Sequence, residues 1–494
     1  AYLSVCGNTY FQTNSTNYFG NGSTSNPAVI ELKGGLYQYG LNNNFRNYEP
    51  GTVMIFSGTS AQRVSFDNFA QSSLGTIAMI NSSDLIFLSR IHSFTAASDI
   101  AVSGLIDIYN INFNGFSIHF KSNATLARGN LMGGYLRCSG SLDVTEKVDL
   151  NYGRLDCNSD LFVNGDLLVK SAQAFIKGYT TVNGEMITSS GGVICDKLLT
   201  INGSFDVRAG QVYVKDRVIV NGTTYIDRDG ALLCDGNVNI FGSMIISNGY
   251  IMSNGSITVG ADGDLSSSGL LSCNGVLTVY GSVRIHSGEA YIKSNVTIYS
   301  NGNLMNSGFL NSDGELMVYG SADIKKGILS VNQNTVIFGE LEVEDGGLLN
   351  CVDDFYIHGT TSLFSGNTLV KGDAIISESG TLKVSSRGLL NCDGILTVRG
   401  LVNTSSGNLY SNSAVTIYES GTLDTYNSAV VCFDTFTLNG NLKNTNASVF
   451  VMNDFTINEN GNLEMVYYSS VLQVRGDFIN NRAGGLNLNF GILD

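Results

Sequence analysis

The stretch Gly269–Ser307, GLLSCNGVLTVYGSVRIHSGEAYIKSNVTIYSNGNLMNS, contains one pattern of residues twice. Hydrophobic residues such as Leu271 and Cys273 alternate with polar ones, and Ala290 and Ile292 repeat them 19 residues later. Alternation with a period of two predicts short strands with one buried face. The Gly, Asn and Ser between the runs predict turns, through positive φ or side-chain hydrogen bonds to the backbone. Each unit therefore predicts a coil of strands that must stack on a copy of itself to bury its hydrophobic face.

The repeat extends far beyond this stretch, since segments 269–281 and 388–400 (GLLSCNGVLTVYG and GLLNCDGILTVRG) are identical at nine of thirteen positions. Turn glycines recur at steps that alternate between 20 and 19 residues, so that two coils form a 39-residue pair. These glycines are Gly210, Gly230, Gly249, Gly269, Gly288, Gly308, Gly327, Gly347 and Gly366. Leucine-rich repeats and propeller blades do not fit, because the LxxLxLxxN/C pattern is absent and a blade has no identity at half its period. The predicted fold class is all-β, a parallel β-solenoid with coils of 19–20 residues.

The regularity of the repeat divides the chain into three parts. Residues 1–27 are rich in Asn, Ser, Thr and Tyr, which predicts an extended, low-complexity arm. Residues 28–114 contain β-like runs at uneven spacing, which predicts an irregular β cap or a set of atypical first coils. Residues 115–494 predict a regular β-solenoid of about 19 coils at this period.

Composition and charge argue against several classes of function. The chain of 494 residues carries 27 basic and 42 acidic residues, a net charge of −15, and no cluster of Lys and Arg. Binding of nucleic acid or of an anionic membrane surface is therefore not expected, and no apolar run approaches the length of a membrane-spanning helix. The chain starts at Ala1 rather than Met, which predicts a removed secretory signal peptide and a location outside the cell or at its surface. No cofactor is predicted.

Eight of the nine cysteines occupy one position of the coil, mostly on every second coil. They share the parity of the buried hydrophobic residues, so they are predicted to point inward, and Ser312 takes this position where the series skips a coil. Positions two coils apart are separated by about 9.6 Å, beyond the reach of a disulfide. Only Cys138 and Cys157, on adjacent coils, could form one, while Cys6 could pair with another molecule. The predicted buried core thiols are Cys195, Cys234, Cys273, Cys351, Cys392 and Cys432.

Ten N-x-S/T sequons predict N-glycosylation of a secreted chain, although such triplets also arise by chance in a sequence rich in Asn and Ser. The preferred candidates are Asn14, Asn21, Asn81, Asn123, Asn254, Asn295, Asn403 and Asn446. Asn202 and Asn221 are less favoured, because with Asn164 and Asn183 they recur every 19 residues before a turn glycine. Stacked Asn side chains can form an amide ladder, which would occupy the nitrogen that carries the sugar.

Later in the repeat, the position of these Asn residues is aromatic in successive coils. The residues are Tyr280, Tyr299, Tyr319 and Phe338, followed by His358. Stacked rings stabilise neighbouring coils by about 0.5–1.5 kcal/mol per pair, and this structural role is the preferred interpretation. The alternative is a surface on which sugar rings stack.

Enzymatic activity is the least favoured interpretation. Wide parallel β-helices include enzymes that cleave polysaccharides with paired carboxylates, but those enzymes build their clefts from long insertions, which are nearly absent here. The histidines are scattered along the chain, at His92, His119, His286 and His358. Asp235, Asp313 and Asp393 recur because each belongs to an Asx-Gly turn.

The motif G-x-L-x-x-x-G-x-L-x-V-x-G at this period resembles the repeats of filamentous haemagglutinins and of autotransporter passenger domains. The resemblance covers residues 115–494 and is architectural, so it assigns no functional residue. It implies an extracellular rod used for reach, adhesion or surface coating. The abundance of Asn, Tyr and sequons is more typical of an N-glycosylating source than of a bacterial adhesin.

The predicted function is that of a non-enzymatic, extracellular structural protein, a glycosylated protomer of a fibre or surface coat. Solenoids end in open strand edges that can pair with another chain. The last residues, 474–494 (VRGDFINNRAGGLNLNFGILD), still alternate and carry few charges, so the predicted partners are copies of the chain joined end to end. The alternative is a monomeric or surface-anchored adhesin that binds surface glycans, and a polysaccharide-active enzyme ranks third.

Overall fold

The computed structural model describes residues 1–12, 17–19, 27–41, 45–47, 52–80, 83–483 and 491–494. It is an all-β parallel β-solenoid of about 23 turns, which confirms the predicted fold class. Within the described ranges the one helical element is a 3₁₀ turn, Phe69–Gln71, and no helix there has the length and hydrophobicity to cross a membrane. The chain divides into two compact units, residues 1–236 with 248–250 and residues 237–247 with 251–494.

Each regular coil of the first unit consists of three strands, which pair in parallel with the equivalent strands of the next coil. In one such coil the strands are Arg154–Cys157, Leu161–Val163 and Asp166–Lys170. Cys157 lies opposite Ile176 in the register of this pairing. We call the three resulting stacks face 1, face 2 and face 3, in their order along the chain. Coils of the second unit are built from the same three kinds of strand.

Strands of all three faces are present in the first unit. Its face 1 contains Thr9–Phe11, Leu36–Gln38, Gln62–Phe66, Leu85–Phe87, Ile100–Gly104, Ile118–Phe120, Tyr135–Cys138, Arg154–Cys157, Gln173–Ile176, Gly192–Cys195, Gln211–Val214 and Ala231–Cys234. Its face 2 contains Asn17–Phe19, Phe45–Asn47, Leu161–Val163, Thr180–Val182, Leu199–Ile201 and Val218–Val220. Its face 3 contains Tyr2–Val5, Ala28–Leu32, Thr52–Phe56, Asp166–Lys170, Glu185–Ser189, Ser204–Arg208 and Thr223–Asp227. Longer strands that belong to faces 2 and 3 together are Ser73–Met79, Ile91–Ala96, Ile106–Asn112, Ala124–Met132 and Leu142–Asn151.

Faces 1, 2 and 3 of the second unit are more regular. Face 1 contains Leu270–Cys273, Glu289–Ile292, Phe309–Ser312, Ile328–Val331, Leu348–Cys351, Asn367–Val370, Leu389–Cys392, Asn408–Ser411, Ala429–Cys432, Ser448–Val451, Val471–Val474 and Ile492–Leu493, and Tyr250–Ser253 has residues of both units. Face 2 contains Val238–Ile240, Ile257–Val259, Leu277–Val279, Val296–Ile298, Leu316–Val318, Thr335–Ile337, Phe355–Ile357, Ala374–Ile376, Leu396–Val398, Val415–Ile417, Phe436–Leu438, Phe455–Ile457 and Phe478–Asn480. Face 3 contains Ser243–Ile246, Asp264–Ser267, Ser282–Ile285, Asn303–Asn306, Ser321–Lys325, Glu340–Glu344, Thr360–Phe364, Thr381–Ser385, Leu401–Ser405, Thr422–Tyr426, Asn441–Thr445 and Asn462–Met465.

Side chains that point inward form the core of each coil. In the strand Arg154–Cys157, Leu155 and Cys157 are buried, while Arg154 and Asp156 face outward. Burial of a Leu, Val or Ile side chain contributes about 1.5–3 kcal/mol. Because one coil is too thin to cover its own hydrophobic side chains, its stability depends on the coils stacked against it.

The periodic glycines differ from the expectation that they provide positive φ. None of the nine glycines of this series has a positive φ, which occurs instead at residues such as Asp229 (64°), directly before Gly230. A Cβ on Gly230 would lie 2.2 Å from the carbonyl oxygen of Val207 in the preceding coil. Glycine is needed there because the backbones of successive coils approach too closely for a side chain.

The structure also differs from the predicted arm at residues 1–27. Tyr2–Val5 pairs in parallel with Ala28–Leu32, and Thr9–Phe11 pairs with Leu36–Gln38. The coils here are longer than later ones, since hydrogen-bonded residues of neighbouring coils are 27 positions apart rather than 19. The two strands are only three to four residues long, which is too short to show the alternation that predicts a strand.

Candidate functional site

The predicted cysteine position is the last residue of the face 1 strands. In the second unit this position is followed from coil to coil by parallel pairing, and the residues are Cys273, Ile292, Ser312, Val331, Cys351, Val370, Cys392, Ser411, Cys432 and Val451. All eight cysteines of the series are buried, whereas Cys6 is exposed. Cys and Ser therefore alternate with Ile and Val along a single inward column from Cys273 to Val370, and Cys392, Ser411 and Cys432 then follow one another directly.

Hydrogen bonding explains why Cys and Ser share this column. The Cys273 thiol donates to the carbonyl oxygen of Gly275 at 3.0 Å, and the Ser312 hydroxyl donates to the carbonyl of Gly314 at 3.3 Å. Both carbonyls belong to the turn between face 1 and face 2. A small donor at this position thus satisfies a turn carbonyl that points toward the core. The exchange of Cys for Ser was the only sign of this role in the sequence.

Burial keeps these thiols protonated. It raises the pKa of Cys195 and Cys351 to about 12 and that of Cys273 to about 11. A thiol can donate to a carbonyl and a thiolate cannot, so the protonated form that burial favours is the one that can make the Cys273 hydrogen bond. These groups lack the thiolate character that reactive cysteines have.

We expect the native protein to lose stability in alkaline solution because of these thiols. An unfolded cysteine has a pKa near 8.5, so the contribution of Cys273 is complete below about pH 8.5 and is lost as the pH rises toward about 11. The loss should amount to about 3 kcal/mol for this residue. Denaturant unfolding of the wild type and of Cys273→Ser across this range measures it, since only the wild type should show this part of the pH dependence. Parallel curves for the two proteins would contradict the prediction.

Cys138 and Cys157 lie opposite each other on adjacent coils of face 1. Both are free thiols in this structure. Their thiols donate to carbonyl oxygens, Cys138 to Ser141 at 3.4 Å and Cys157 to Asp160 at 3.2 Å. A hydrogen bond with Cys157, together with burial, raises the pKa of Cys138. The disulfide between them stays a prediction, as does pairing of Cys6 with another molecule.

The predicted amide ladder is present in the first unit, at the corner after face 2. The Asn183 amide donates to Asn164 at 2.7 Å, Asn202 donates to Asn183 at 2.8 Å, and Asn221 donates to Asn202 at 2.8 Å. The ladder begins on a carboxylate, because Asn164 donates to Asp143 at 2.7 Å. Surface side chains therefore bind each coil to the next.

The aspartates of the Asx-Gly turns also accept hydrogen bonds from side chains of a neighbouring coil. Asp313 accepts a hydrogen bond from Asn332 at 2.9 Å, and Asp393 accepts one from Asn412 at 2.6 Å. Asp235 accepts instead from the hydroxyl of Tyr213 at 2.5 Å. These contacts account for the aspartates through stacking of coils rather than through catalysis.

The sequons of the described residues differ in whether the amide nitrogen is already occupied. Asn202 and Asn221 donate within the ladder, and Asn446 donates to Asn427. Within the described part of the chain, the amide nitrogens of Asn123 and Asn403 have no hydrogen-bond partner, although Asn123 accepts from the backbone of the next coil. The remaining sequons are of two kinds: Asn254 and Asn295 accept through their side-chain oxygens, while Asn14, Asn21 and Asn81 lie outside the described residues.

Glycan occupancy should follow this difference. When the protein is secreted from a eukaryotic host, we expect glycans at Asn123 and Asn403. We expect little or none at Asn202, whose amide nitrogen donates a hydrogen bond to Asn183. Glycopeptide mass spectrometry measures the occupancy of each site. As a control, Asn183→Ala removes the acceptor and should raise the occupancy of Asn202 while leaving Asn403 unchanged. High occupancy of Asn202 in the wild type would contradict the prediction.

The predicted aromatic ladder is present at the same corner in the second unit. Ring centroids are 4.3 Å apart between Tyr280 and Tyr299, 6.1 Å between Tyr299 and Tyr319, 4.8 Å between Tyr319 and Phe338, and 4.9 Å between Phe338 and His358. All four pairs are stacked, and the Tyr and Phe rings remain exposed. The ladder thus forms an aromatic stripe on the surface that also joins five successive coils.

A shallow depression of about 470 Å³ lies on the outer side of face 1 in the first unit. Its lining includes Tyr135, Arg154, Phe175 and Tyr213. The Arg154 guanidinium donates to Asp156 at 2.7 Å and lies 4.3 Å from the centre of the Phe175 ring. Sequence reasoning missed this group because it followed the inward positions only. Alignment of the outward positions of successive coils would have found it.

The four histidines of the chain do not form a cluster in the structure. The rings of His92 and His358 stack on aromatic neighbours, while His119 and His286 each lie within hydrogen-bond distance of a serine hydroxyl. Burial lowers the pKa of His92 and His119. Over the described ranges, no group of three or more His, Cys, Asp and Glu is placed to hold a metal ion.

The chain was compared with protein families, curated proteins and solved structures. No protein-family model matches the chain. No curated protein matches it either. Among solved structures, the chain is similar to the crystal structure of a TibC-catalyzed hyper-glycosylated TibA55-350 fragment, with 15% sequence identity, 76% of this chain and 99% of that chain covered, and a TM-score of 0.20.

Proposed function

We propose that the chain is a non-enzymatic structural protein of an extracellular fibre or surface coat, built from glycosylated copies joined end to end. The observation that supports this proposal best is the use of surface side chains to join neighbouring coils. The amide ladder Asn164–Asn221 and the aromatic ladder Tyr280–His358 both have this role.

The energies of these ladders support a mechanical role. A stacked aromatic pair contributes about 0.5–1.5 kcal/mol beyond its burial, and a hydrogen bond contributes about 0.5–1.5 kcal/mol. Such contacts add to the backbone hydrogen bonds and to the core, so each coil is held by three kinds of interaction. A strand edge that presents unpaired N–H and C=O groups can extend the same pairing into another copy.

Glycosylation fits the surface of such a protein. Only 14% of the residues are charged, compared with about 25% in typical globular domains. Sugars on exposed sequons such as Asn123 and Asn403 would supply the hydrophilic cover that the charged residues do not. Sugars on the sides of the coils would also favour growth along the strand-pairing direction over lateral association.

Electron microscopy and light scattering over a concentration series test the assembly. The chain should be secreted from a eukaryotic host and compared before and after enzymatic removal of its N-glycans. We expect assemblies whose mass rises with protein concentration in both samples, with more lateral clumping after deglycosylation. Monomers at all concentrations in both samples would overturn the proposal.

A carbohydrate-binding adhesin is the second candidate, favoured by the depression on face 1. Aromatic rings beside charged hydrogen-bonding groups, as at Tyr213 and Arg154, are the groups that shallow sugar sites use. Binding of the monomeric chain to a glycan array tests this role. Tyr213→Ala should abolish binding, whereas Tyr356→Ala, an outward tyrosine of the second unit that donates to Asp354 at 2.9 Å, should not. No binding by the wild type would remove this candidate.

A further inference from the structure

Tyr280 and Tyr299 form the closest stacked pair of tyrosines among the described residues. Their ring centroids are 4.3 Å apart and their planes differ by 15°. They directly follow Val279 and Ile298, which lie opposite each other in the parallel register of face 2. Tyr280 is 39% exposed and Tyr299 is 40% exposed. The pair is therefore held in position by the backbone and is also accessible to reagents in solution.

Other tyrosine pairs are stacked less closely. Tyr10 and Tyr37 of the first unit are 5.2 Å apart, and Tyr299 and Tyr319 are 6.1 Å apart. The next ring after Tyr319 is that of Phe338, which has no hydroxyl. A radical on Tyr299 would thus have one close phenolic partner in the ladder, and that partner is on the preceding coil.

We propose that Tyr280 and Tyr299 are a site of oxidative cross-linking, at which a peroxidase with hydrogen peroxide joins the two rings as dityrosine. Each phenol loses one electron and one proton, and the two phenoxyl radicals form one C–C bond between ring carbons adjacent to the hydroxyls. Each of these carbons then loses its hydrogen as a proton, and each phenolic oxygen regains one, which restores both aromatic rings. The peroxide accepts two electrons and two protons and leaves as two molecules of water.

The geometry favours this coupling for two reasons. The two rings are nearly parallel with their centroids 4.3 Å apart, and interaction with Tyr299 raises the pKa of Tyr280. The register of face 2 also keeps the second ring in place while a radical forms on the first, which replaces a diffusional encounter with an intramolecular one. The product would join two adjacent coils covalently, a modification that does not depend on assembly of the chain.

Peptide mapping of the full-length chain tests the proposal. After treatment with a haem peroxidase and hydrogen peroxide, digestion with trypsin should yield residues 229–284, which contain Tyr280, joined to residues 294–325, which contain Tyr299. The mass of the joined pair should be two hydrogen atoms below the sum of the two peptides. Fluorescence typical of dityrosine should appear together with the joined peptides. The protein should stay at its monomeric size on a denaturing gel.

Two variants distinguish this pair from general oxidation of tyrosine. Tyr299→Phe keeps a ring in the ladder but removes the phenol, so the joined peptides should be lost while the fold remains. Tyr319→Phe is the matched control and should retain them. The proposal is overturned if Tyr299→Phe still yields the joined peptides, if the control loses them equally, or if the product is found only in covalent dimers. A finding that the chain never assembles would leave this result unaffected.

Discussion

Replacing Gly203 with Ala should lower the free energy of unfolding of the first unit by about 3 kcal/mol. The added Cβ would lie 2.1 Å from the carbonyl oxygen of Gly184 and 2.3 Å from that of Asn183. Both atoms belong to the backbone of the preceding coil, so they cannot move aside as the end of a flexible side chain can. Relief of the clash has to separate the two coils, which weakens strand pairing and core packing together.

Gly192→Ala is the matched control in the same unit. The atom nearest to its added Cβ would be the Gln211 carbonyl oxygen at 3.8 Å, an ordinary contact. Alanine there should leave stability unchanged or raise it by about 0.4–1 kcal/mol, because it restricts the unfolded chain. Amide hydrogen exchange in the strands on either side of the substitution measures both variants coil by coil. Equal protection in the two variants would refute the explanation by close backbone approach.

Replacing Phe436 with Ala should lower the free energy of unfolding of the second unit by about 3–5 kcal/mol. Phe436 is fully buried and lies opposite Phe455 in the register of face 2, with ring centroids 4.9 Å apart. Truncation removes the buried ring surface, creates a cavity and leaves Phe455 stacked on Phe478 alone. Because this cavity would be enclosed by coils on both sides, the surrounding side chains have little freedom to fill it.

Phe433 provides the control three positions earlier. It is 49% exposed, so Phe433→Ala should change stability by less than about 0.5 kcal/mol. Denaturant unfolding followed by circular dichroism compares the two variants with the wild type. Phe436→Leu should recover most of the loss, since it refills much of the volume. A large loss from Phe433→Ala, or a small one from Phe436→Ala, would mean that the inward and outward positions are assigned wrongly.

The fold could be predicted from residues such as Leu271 and Cys273 because a strand buries every second side chain, whatever its neighbours are. The 19-residue recurrence then required stacking, since isolated strands of three to five residues cannot bury a hydrophobic face. The amide and aromatic ladders were also predictable, because residues one period apart in a solenoid become neighbours in space.

Other features depend on contacts that a single coil does not contain. The role of Gly230 could not be read from its turn, because the atom that excludes a side chain there is the carbonyl of Val207 in another coil. The strand Tyr2–Val5 was missed because pairing with Ala28–Leu32, rather than its own short pattern, holds it in place. The depression around Tyr213 was missed because its outward residues come from several coils and become neighbours only when those coils are aligned.

The amide ladder Asn164–Asn221 runs in one direction along the chain. Each amide donates to the side chain of the earlier coil, and where Asn amides pair with Asp143, Asp313 and Asp393 the carboxylate also belongs to the earlier coil. A carboxylate only accepts hydrogen bonds, so in a stack whose amides all donate to the earlier coil it can stand only at the start. This ladder therefore has a chemical polarity, with the Asp143 carboxylate at its N-terminal side and the Asn221 amide oxygen at its C-terminal side. A further coil that continued this ladder would have to donate its amide to the oxygen at the C-terminal side, so the ladder can be extended by the same contact in one direction only.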